Sequence, residues 1–289
     1  MTKTGDLTVT ILRDNLAPEG LKAGHGLALL VEADEACVLL DTGDSPETWD
    51  NADALGVDLG RVSCLVLSHG HYDHTGGIEE LLRRVGELRV VAHPAVFEPR
   101  WAMGGTPRYI GPPLSRAELE ALGARLELNA QPLEIAPGVM TTGQVPRDAQ
   151  DLPPQTRLRV ERDGQTRPDD FIDDMSVVVS LQEVAVVLTG CAHAGLVNIV
   201  AHCGRLAPAP LRALLGGTHL MASSEEEVVA IAGELRARGL THLAPLHCTG
   251  ESGRRFLEKH FAGTVLPAAT GDTLVAGEDG SLRLGAARH

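Results

Sequence analysis

The run Ser68-His69-Gly70-His71-Tyr72-Asp73-His74-Thr75-Gly76-Gly77 places three histidines and an aspartate within six residues. Buried together without a partner, these side chains would repel as cations and lose their hydration. A divalent metal removes that cost. Imidazole nitrogens and a carboxylate suit zinc, and sites of this composition also accept manganese or iron. Two apart after a strand, His69 and His71 can converge on one ion, while Asp73 and His74 face a second. Two such cations would share a water, lower its pKa toward neutrality and hold the resulting hydroxide against a carbonyl or phosphorus centre. Asp73, able to orient that hydroxide or carry a proton as well as bind metal, is the candidate catalytic residue.

The cluster needs a strand before it and a helix after it, and the local pattern supplies both. Apolar runs predict strands at Leu7 to Leu12, Gly26 to Glu32, Ala36 to Leu40, Val62 to Ser68 and Leu88 to Ala92. Helices are predicted around Trp49 to Leu55 and at Ile78 to Val85, where Ile78, Leu81, Leu82 and Val85 share one face. Gly76 and Gly77 allow the tight passage from the cluster into the second of these. The later half repeats the grammar, with strands near Gly138 to Thr142, Ser176 to Leu181, Ala185 to Thr189, Leu211 to Gly216 and Leu243 to Leu246. Helices are expected at Gly195 to Cys203 and Ser224 to Ala237, the latter opened by a serine N-cap and a run of glutamates. Two β-rich halves of similar layout imply a layered α/β architecture. Two stretches rich in Pro, Gly and Asp interrupt it, Pro94 to Pro113 and Pro146 to Asp174, the second read as an irregular solvated hairpin. The first holds Phe97, Trp101 and Tyr109, three of the eight aromatic residues. It is either a surface excursion with its own small core or a lid over a substrate.

The chain has 289 residues, 43% of them hydrophobic and 22% charged, enough to bury a full core. Lys+Arg 25 against Asp+Glu 39 gives a net charge of −14, a field that repels nucleic acid. No apolar stretch reaches the roughly 20 residues needed to span a bilayer, so no membrane partner is expected. Met1 to Arg13 alternates like a strand and lacks the apolar core of a signal peptide, so the expected location is the cytoplasm. Five cysteines without a secretory signal read as reduced thiols. No GxxxxGK[ST], GxGxxG or GxSxG run supports a nucleotide loop or a serine nucleophile.

The HxHxDH run, the strand before it, Asp41-Thr42-Gly43 and the paired halves resemble the metallo-β-lactamase superfamily over most of the chain. Six local runs are similar to its dihydropteroate-synthase-like branch, that of 7,8-dihydropterin-6-methyl-4-(β-D-ribofuranosyl)-aminobenzene-5′-phosphate synthase. They are Gly24-His25-Gly26-Leu27, Leu67 to Gly77, Arg108-Tyr109-Ile110-Gly111, Thr189-Gly190-Cys191-Ala192-His193, Gly216-Gly217-Thr218-His219-Leu220 and Pro245-Leu246-His247-Cys248-Thr249-Gly250. The resemblance implies one metallo-β-lactamase-like αβ/βα sandwich over residues 1–289 and two divalent metal ions, zinc foremost. Where relatives place a mid-chain histidine this chain has Gln144, and His193 is the substitute expected. Cys191 stands where relatives carry an aspartate, as a thiolate ligand or as a buried inert thiol, and His247 matches the last histidine of the pattern. One metal would then use His69, His71 and His193, the other Asp73, His74 and His247, with Cys191 shared or on the second. Cys248, taken as the next residue of an extended strand, should face away and pack.

His25 and His219 are expected to touch substrate or orient ligands, or else to be structural. Trp101, Arg108 and Tyr109, and Arg147 in the second excursion, are candidate contacts for a flat or phosphorylated small molecule, the arginines alternatively being ordinary surface groups. The reading is a dinuclear metal-dependent hydrolase or phosphoryl/pyrophosphoryl-group enzyme acting on a small, pterin-like or phosphorylated metabolite. In the synthase case the metals would instead neutralise a departing pyrophosphate. A diiron redox protein of the same fold is the alternative, though that class usually carries glutamate where His71 stands and appends a flavin domain. A non-enzymatic metal-binding module is the third.

Overall fold

In the strand Ser176–Ser180, Val177 and Val179 face one way and Val178 the other. The first two join Val186 and Leu188 in packing against Val9, Ile11, Val31 and Leu40 of a second sheet; Val178 packs outward with Val187 beneath helices. This alternation, repeated strand after strand, builds a face-to-face pair of sheets with helices outside, an αβ/βα sandwich of two β-rich halves. The description rests on a computed structural model and covers residues 2–147, 157–277 and 279–285.

The first sheet runs Leu282–Leu284, Thr273–Ala276, Leu7–Arg13, Ala28–Ala33, Ala36–Leu40, Cys64–Val66, Leu88–Ala92 and Ala124–Leu128 from edge to edge. The second runs Thr264–Val265, His242–Leu246, Leu211–Gly217, Ala185–Thr189, Ser176–Ser180, Val139–Thr141 and Leu133–Ala136. Each contains a parallel block: four strands from Ala36–Leu40 to Ala124–Leu128, and four from Ala185–Thr189 to Thr264–Val265. Loops that leave the carboxyl ends of such blocks face a common crevice, where α/β sheets place ligands. Asp41, His69 to His74, Cys191 to His193, His219 and His247 all lie on those loops.

Helices Glu47–Ala54 and Ile78–Val85 cover the first sheet, Trp49, Leu81 and Leu82 being buried there. Leu196–Leu206 and Glu225–Ala237 cover the second; Ser224 caps the latter in a capping box with Glu227. Several elements depart from the sequence reading. The strand after Arg61 is only Cys64–Val66, and helices Arg116–Ala121 and Gly250–His260 were not anticipated. The excursion 94–113 is not irregular: it holds a 3₁₀ turn, Pro94–Phe97, and strands Arg100–Ala102 and Arg108–Tyr109. These join the hairpin Leu158–Arg162 and Gln165–Pro168 in a small four-stranded sheet. Part of the second excursion, residues 148–156, lies outside the described residues. Among the described residues no helix is long and apolar enough to cross a membrane.

Candidate metal centre

The centre is built outward from Asp41, which directly follows the strand Ala36–Leu40 and is wholly buried. Its Oδ1 accepts the Ser68 N–H at 2.7 Å and its Oδ2 the Ser68 hydroxyl at 2.6 Å. The same Oδ2 lies 2.6 Å from His74 Nδ1. The Ser68 hydroxyl, having donated to Asp41, accepts from His69 Nδ1–H at 2.9 Å. On the other side His247 Nδ1 meets Asn15 Oδ1 at 2.9 Å, and its backbone N–H meets Asp14 Oδ1 at 2.6 Å.

These partners fix three imidazoles with the proton on Nδ1 and the Nε2 lone pair turned inward. His74 Nε2 then stands 3.2 Å from His247 Nε2 and 3.1 Å from the Cys191 sulfur. His69 Nε2 stands 3.0 Å from His71 Nδ1, and His71 Nε2 is buried without a hydrogen-bond partner. Nitrogen and sulfur donors from several buried side chains converge at contact distance, an arrangement that a cation, whether a proton or a metal ion, resolves. The residues therefore fit divalent metals. Asp73 Oδ2 lies 3.4 Å from both His247 Nε2 and His25 Nε2 and 4.0 Å from His74 Nε2. Three triads, His69/Cys191/His193, His74/Cys191/His247 and Cys191/His219/Cys248, each have ligand atoms within 4.8 Å of one another. All three share Cys191. A fourth group, His25, Asp73 and His247, closes the outer side.

Electrostatics follow the burial. Desolvation and the neighbouring imidazoles hold His69 and His193 well below the usual histidine range, and desolvation pushes His71 down to about 3. Burial opposes the cation of His74 as well, yet the Asp41 carboxylate against Nδ1 outweighs it and raises the pKa to about 9. Without a metal, that proton takes the place of the missing positive charge. For Asp73, burial raises the pKa, but the His247 hydrogen bond and the surrounding imidazoles outweigh it and hold the carboxyl below its ordinary range.

All seven residues read as metal ligands meet here: His69, His71, Asp73, His74, Cys191, His193 and His247. His193 rather than Gln144, which is exposed, enters from mid-chain. His25 and His219, expected to contact substrate or orient ligands, lie within the donor cluster itself. One expectation is overturned. Cys248 does not face away; its thiol donates to the Cys191 carbonyl at 3.4 Å and accepts the His219 N–H at 3.3 Å. The alternation of an extended strand does not apply there, because His247 is left-handed (φ 47°) and opens a 3₁₀ turn, His247–Thr249. Gly217 makes room for this thiol, since a Cβ there would press on the Cys248 sulfur.

A cavity of about 130 Å³ leads from the centre past Tyr72, Arg108, Ile110, Leu158 and Met221. The Arg108 guanidinium lies over the Tyr72 ring, 5.4 Å from its centroid. Trp101 and Tyr109 pack edge to face on each other at 5.2 Å and are not among the lining residues. Arg147 donates to the Asp170 carbonyl at 2.9 Å and is not a lining residue either. Sequence reasoning missed Asn15, Phe171, Asp173 and Asp174. Asp41 entered only as part of a motif. Phe171 stacks on His193 with centroids 4.3 Å apart and planes 4° from parallel.

The sequence and the fold are similar to those of known proteins. The sequence profile of the metallo-β-lactamase superfamily matches residues 21–231. The 7,8-dihydropterin-6-methyl-4-(β-D-ribofuranosyl)-aminobenzene-5′-phosphate synthase of Methanocaldococcus jannaschii is 26% identical over 253 residues, spanning 82% of this chain and 85% of that protein. The crystal structure of Tm1679, described as a metal-dependent hydrolase of the β-lactamase superfamily, is 29% identical with a TM-score of 0.82, covering 93% of this chain and 98% of that one. Zinc-bound PqqB from Methylobacterium extorquens shares the fold at 15% identity and a TM-score of 0.55, over 92% of this chain and 99% of its own. By the profile match and this common architecture, the chain belongs to the metallo-β-lactamase superfamily.

Proposed function

We propose that the protein is a dinuclear metal-dependent enzyme that cleaves or transfers at a phosphoester or pyrophosphate bond of a small metabolite, in the cytoplasm. The observation that carries this is the pair His74 Nε2 and His247 Nε2, 3.2 Å apart beside the Cys191 sulfur with both Nδ1 atoms already committed. His69, His71 and His193 would hold one ion, and Asp73, His74 and His247 the other, Cys191 being shared. Two zinc ions, or manganese or iron, would supply Lewis acidity toward the phosphorus centre and acidify water.

The chain's own residues do the rest. Asp73 would orient the attacking water and take its proton, and His25, half-exposed and 3.4 Å from Asp73 Oδ2, would pass that proton to solvent. Arg108 and Tyr72, at the outer end of the cavity, offer a guanidinium and a phenol to an anionic group. The small sheet carrying Trp101 and Tyr109 would border the bound molecule as a cover. Likeness to the synthase favours a pterin-like substrate, with pyrophosphate as the leaving group; likeness to Tm1679 favours hydrolysis. His71 in place of a glutamate argues against the diiron redox alternative.

The test is reconstitution with zinc, manganese and iron, followed by metal analysis and assay on phosphodiesters and on a dihydropterin methyl pyrophosphate with and without an aminobenzene acceptor. Two metals per chain and turnover that Asp73→Ala lowers by several orders of magnitude, with little change in fold, are expected. Less than one metal per chain, or near-native turnover of Asp73→Ala at full occupancy, overturns the reading.

A further inference from the structure

Residues 169–175 contribute no candidate ligand, yet four of them, Phe171, Asp173, Asp174 and Met175, reach a histidine loop. Asp169 Oδ2 accepts from Arg100 Nε at 3.0 Å, and its Oδ1 caps the N–H of Phe171 at 2.8 Å. Phe171 is left-handed (φ 48°), which turns its ring flat onto His193 and edge-on to His71, with centroids 6.1 Å apart. Asp173 Oδ2 accepts the N–H of Gly70, between His69 and His71, at 2.8 Å; its Oδ1 lies 2.7 Å from Arg100 Nη2. Asp174 Oδ2 accepts the N–H of Ala194, next to His193, at 2.6 Å. Met175 N–H then donates to Ser68 O at 2.8 Å.

Arg100 anchors this segment from the small sheet. Its wholly buried guanidinium also donates to the carbonyls of Ala95, Val96 and Glu98 at 3.1 to 3.3 Å. The approach is so close that a Cβ on Gly70 would overlap Val96 O and Arg100 Nη1. The next residues of the same strand lead to Ala102, a lining residue of the cavity, which is paired with Arg108.

His71 belongs to the first sheet's loop and His193 to the second's. Packing between two apolar sheet faces tolerates small slides, whereas metal ligands must hold their separation within a few tenths of an ångström. A buried arginine–carboxylate network contributes little net stability but fixes geometry, because its hydrogen bonds are directional and leaving any one unmade is costly. The four-point attachment of 169–175 joins the two loops through such bonds and a ring stack.

We propose that residues 169–174, anchored on Arg100, act as a positioning strap that holds the His71 and His193 loops at ligand spacing and links them to the cavity-lining small sheet. Phe171 and Asp173 are its positioning residues. The inference rests on the metal-centre reading above, and two readouts keep the two apart. The first is the dissociation constant and visible spectrum of the cobalt-loaded protein, measured against a competing chelator. The second, on metal-free protein, is amide hydrogen exchange in peptides covering 68–71 and 192–195.

Phe171→Leu and Asp173→Asn should each weaken cobalt binding about tenfold or more, as loss of outer support does at other metal sites, and shift the cobalt bands. Both should speed exchange in the two loop peptides together while the sheet strands keep their protection. Phe171→Tyr, which keeps the ring, should restore affinity and spectrum. Leu235→Ala, a cavity under the far helix, should lower the melting temperature and move neither readout. Unchanged affinity and spectrum in both strap variants, or exchange that rises evenly over the whole molecule, overturns the strap. If the wild-type protein binds no cobalt, the metal-centre reading fails, and the strap is judged by exchange alone: no joint rise in the two loops refutes it.

Discussion

Asp41 Oδ2 sits 2.6 Å from His74 Nδ1 while Oδ1 of the same carboxylate holds the Ser68 N–H at 2.7 Å. One side chain thus orients the last histidine of the cluster directly and the first through Ser68. Asp41→Asn keeps the shape but loses the charge and half of the accepting capacity. Metal affinity by chelator competition should fall about 10- to 100-fold, as for other carboxylates that support ligating histidines. Wild-type affinity in this variant would mean that the carboxylate does not set the histidine geometry.

Cys191 and Cys248 are neighbours with different expected roles. The cobalt-loaded protein should show a thiolate-to-metal charge-transfer band that Cys191→Ser removes. Cys248→Ser, which leaves Cys191 in place, should keep most of it. A band lost in Cys248→Ser and kept in Cys191→Ser would reverse the assignment.

Arg108 lines the cavity and Trp101 does not. A charge-assisted bond to phosphate is worth roughly 1.5 to 3 kcal/mol. Arg108→Ala should therefore raise KM about tenfold or more for a phosphate-bearing substrate, with kcat little altered and an uncharged ester unaffected. Trp101→Ala, acting through Tyr109 and the hairpin, should weaken binding several-fold with the metals untouched. Equal loss on charged and uncharged substrates would remove Arg108 from phosphate recognition.

Burial pushes the Asp174 carboxyl up to about 7 from an ordinary 3.8, although Ala194 N–H favours the anion. The folded protein therefore holds this proton more tightly than the unfolded chain does. The associated stability is present below about pH 4 and is lost as the pH rises through about 7. Asp174→Asn carries no such charge. In metal-free protein its melting temperature, relative to wild type, should rise steadily between pH 4 and pH 7 and level off above. A constant difference across that window would show that Asp174 does not titrate there.

Ten strands of the two large sheets and the candidates His69, His71, Asp73 and His74 were legible in the sequence, because short apolar runs and a dense histidine run are local signals, whereas Cys191, His193 and His247 came only with the family resemblance. Cys248 was misjudged because its direction depends on the left-handed backbone at His247, a conformation that residue type alone does not announce. Phe171 and Asp173 sit in a stretch whose composition reads as solvated loop, and their partners, His193 and Gly70, are distant in sequence. The helix Gly250–His260 was missed because it buries only Gly253 and Leu257, too few positions to mark a face. Asn15 gave no signal at all: a single amide after a strand becomes meaningful only when His247 arrives beside it.

The strand Leu7–Arg13 pairs on one side with Ala28–Ala33 and on the other with Thr273–Ala276. During synthesis Leu7–Arg13 must therefore wait for Thr273–Ala276, made long after it, with one edge unpaired until then. Asp14, directly after that strand, also receives the backbone N–H of His247, so residues far apart in the sequence meet again at the crevice. Synthesis halted before Thr273 would release a chain that already carries every histidine of the centre but has an unpaired sheet edge, a form more prone to aggregate than to bind metal.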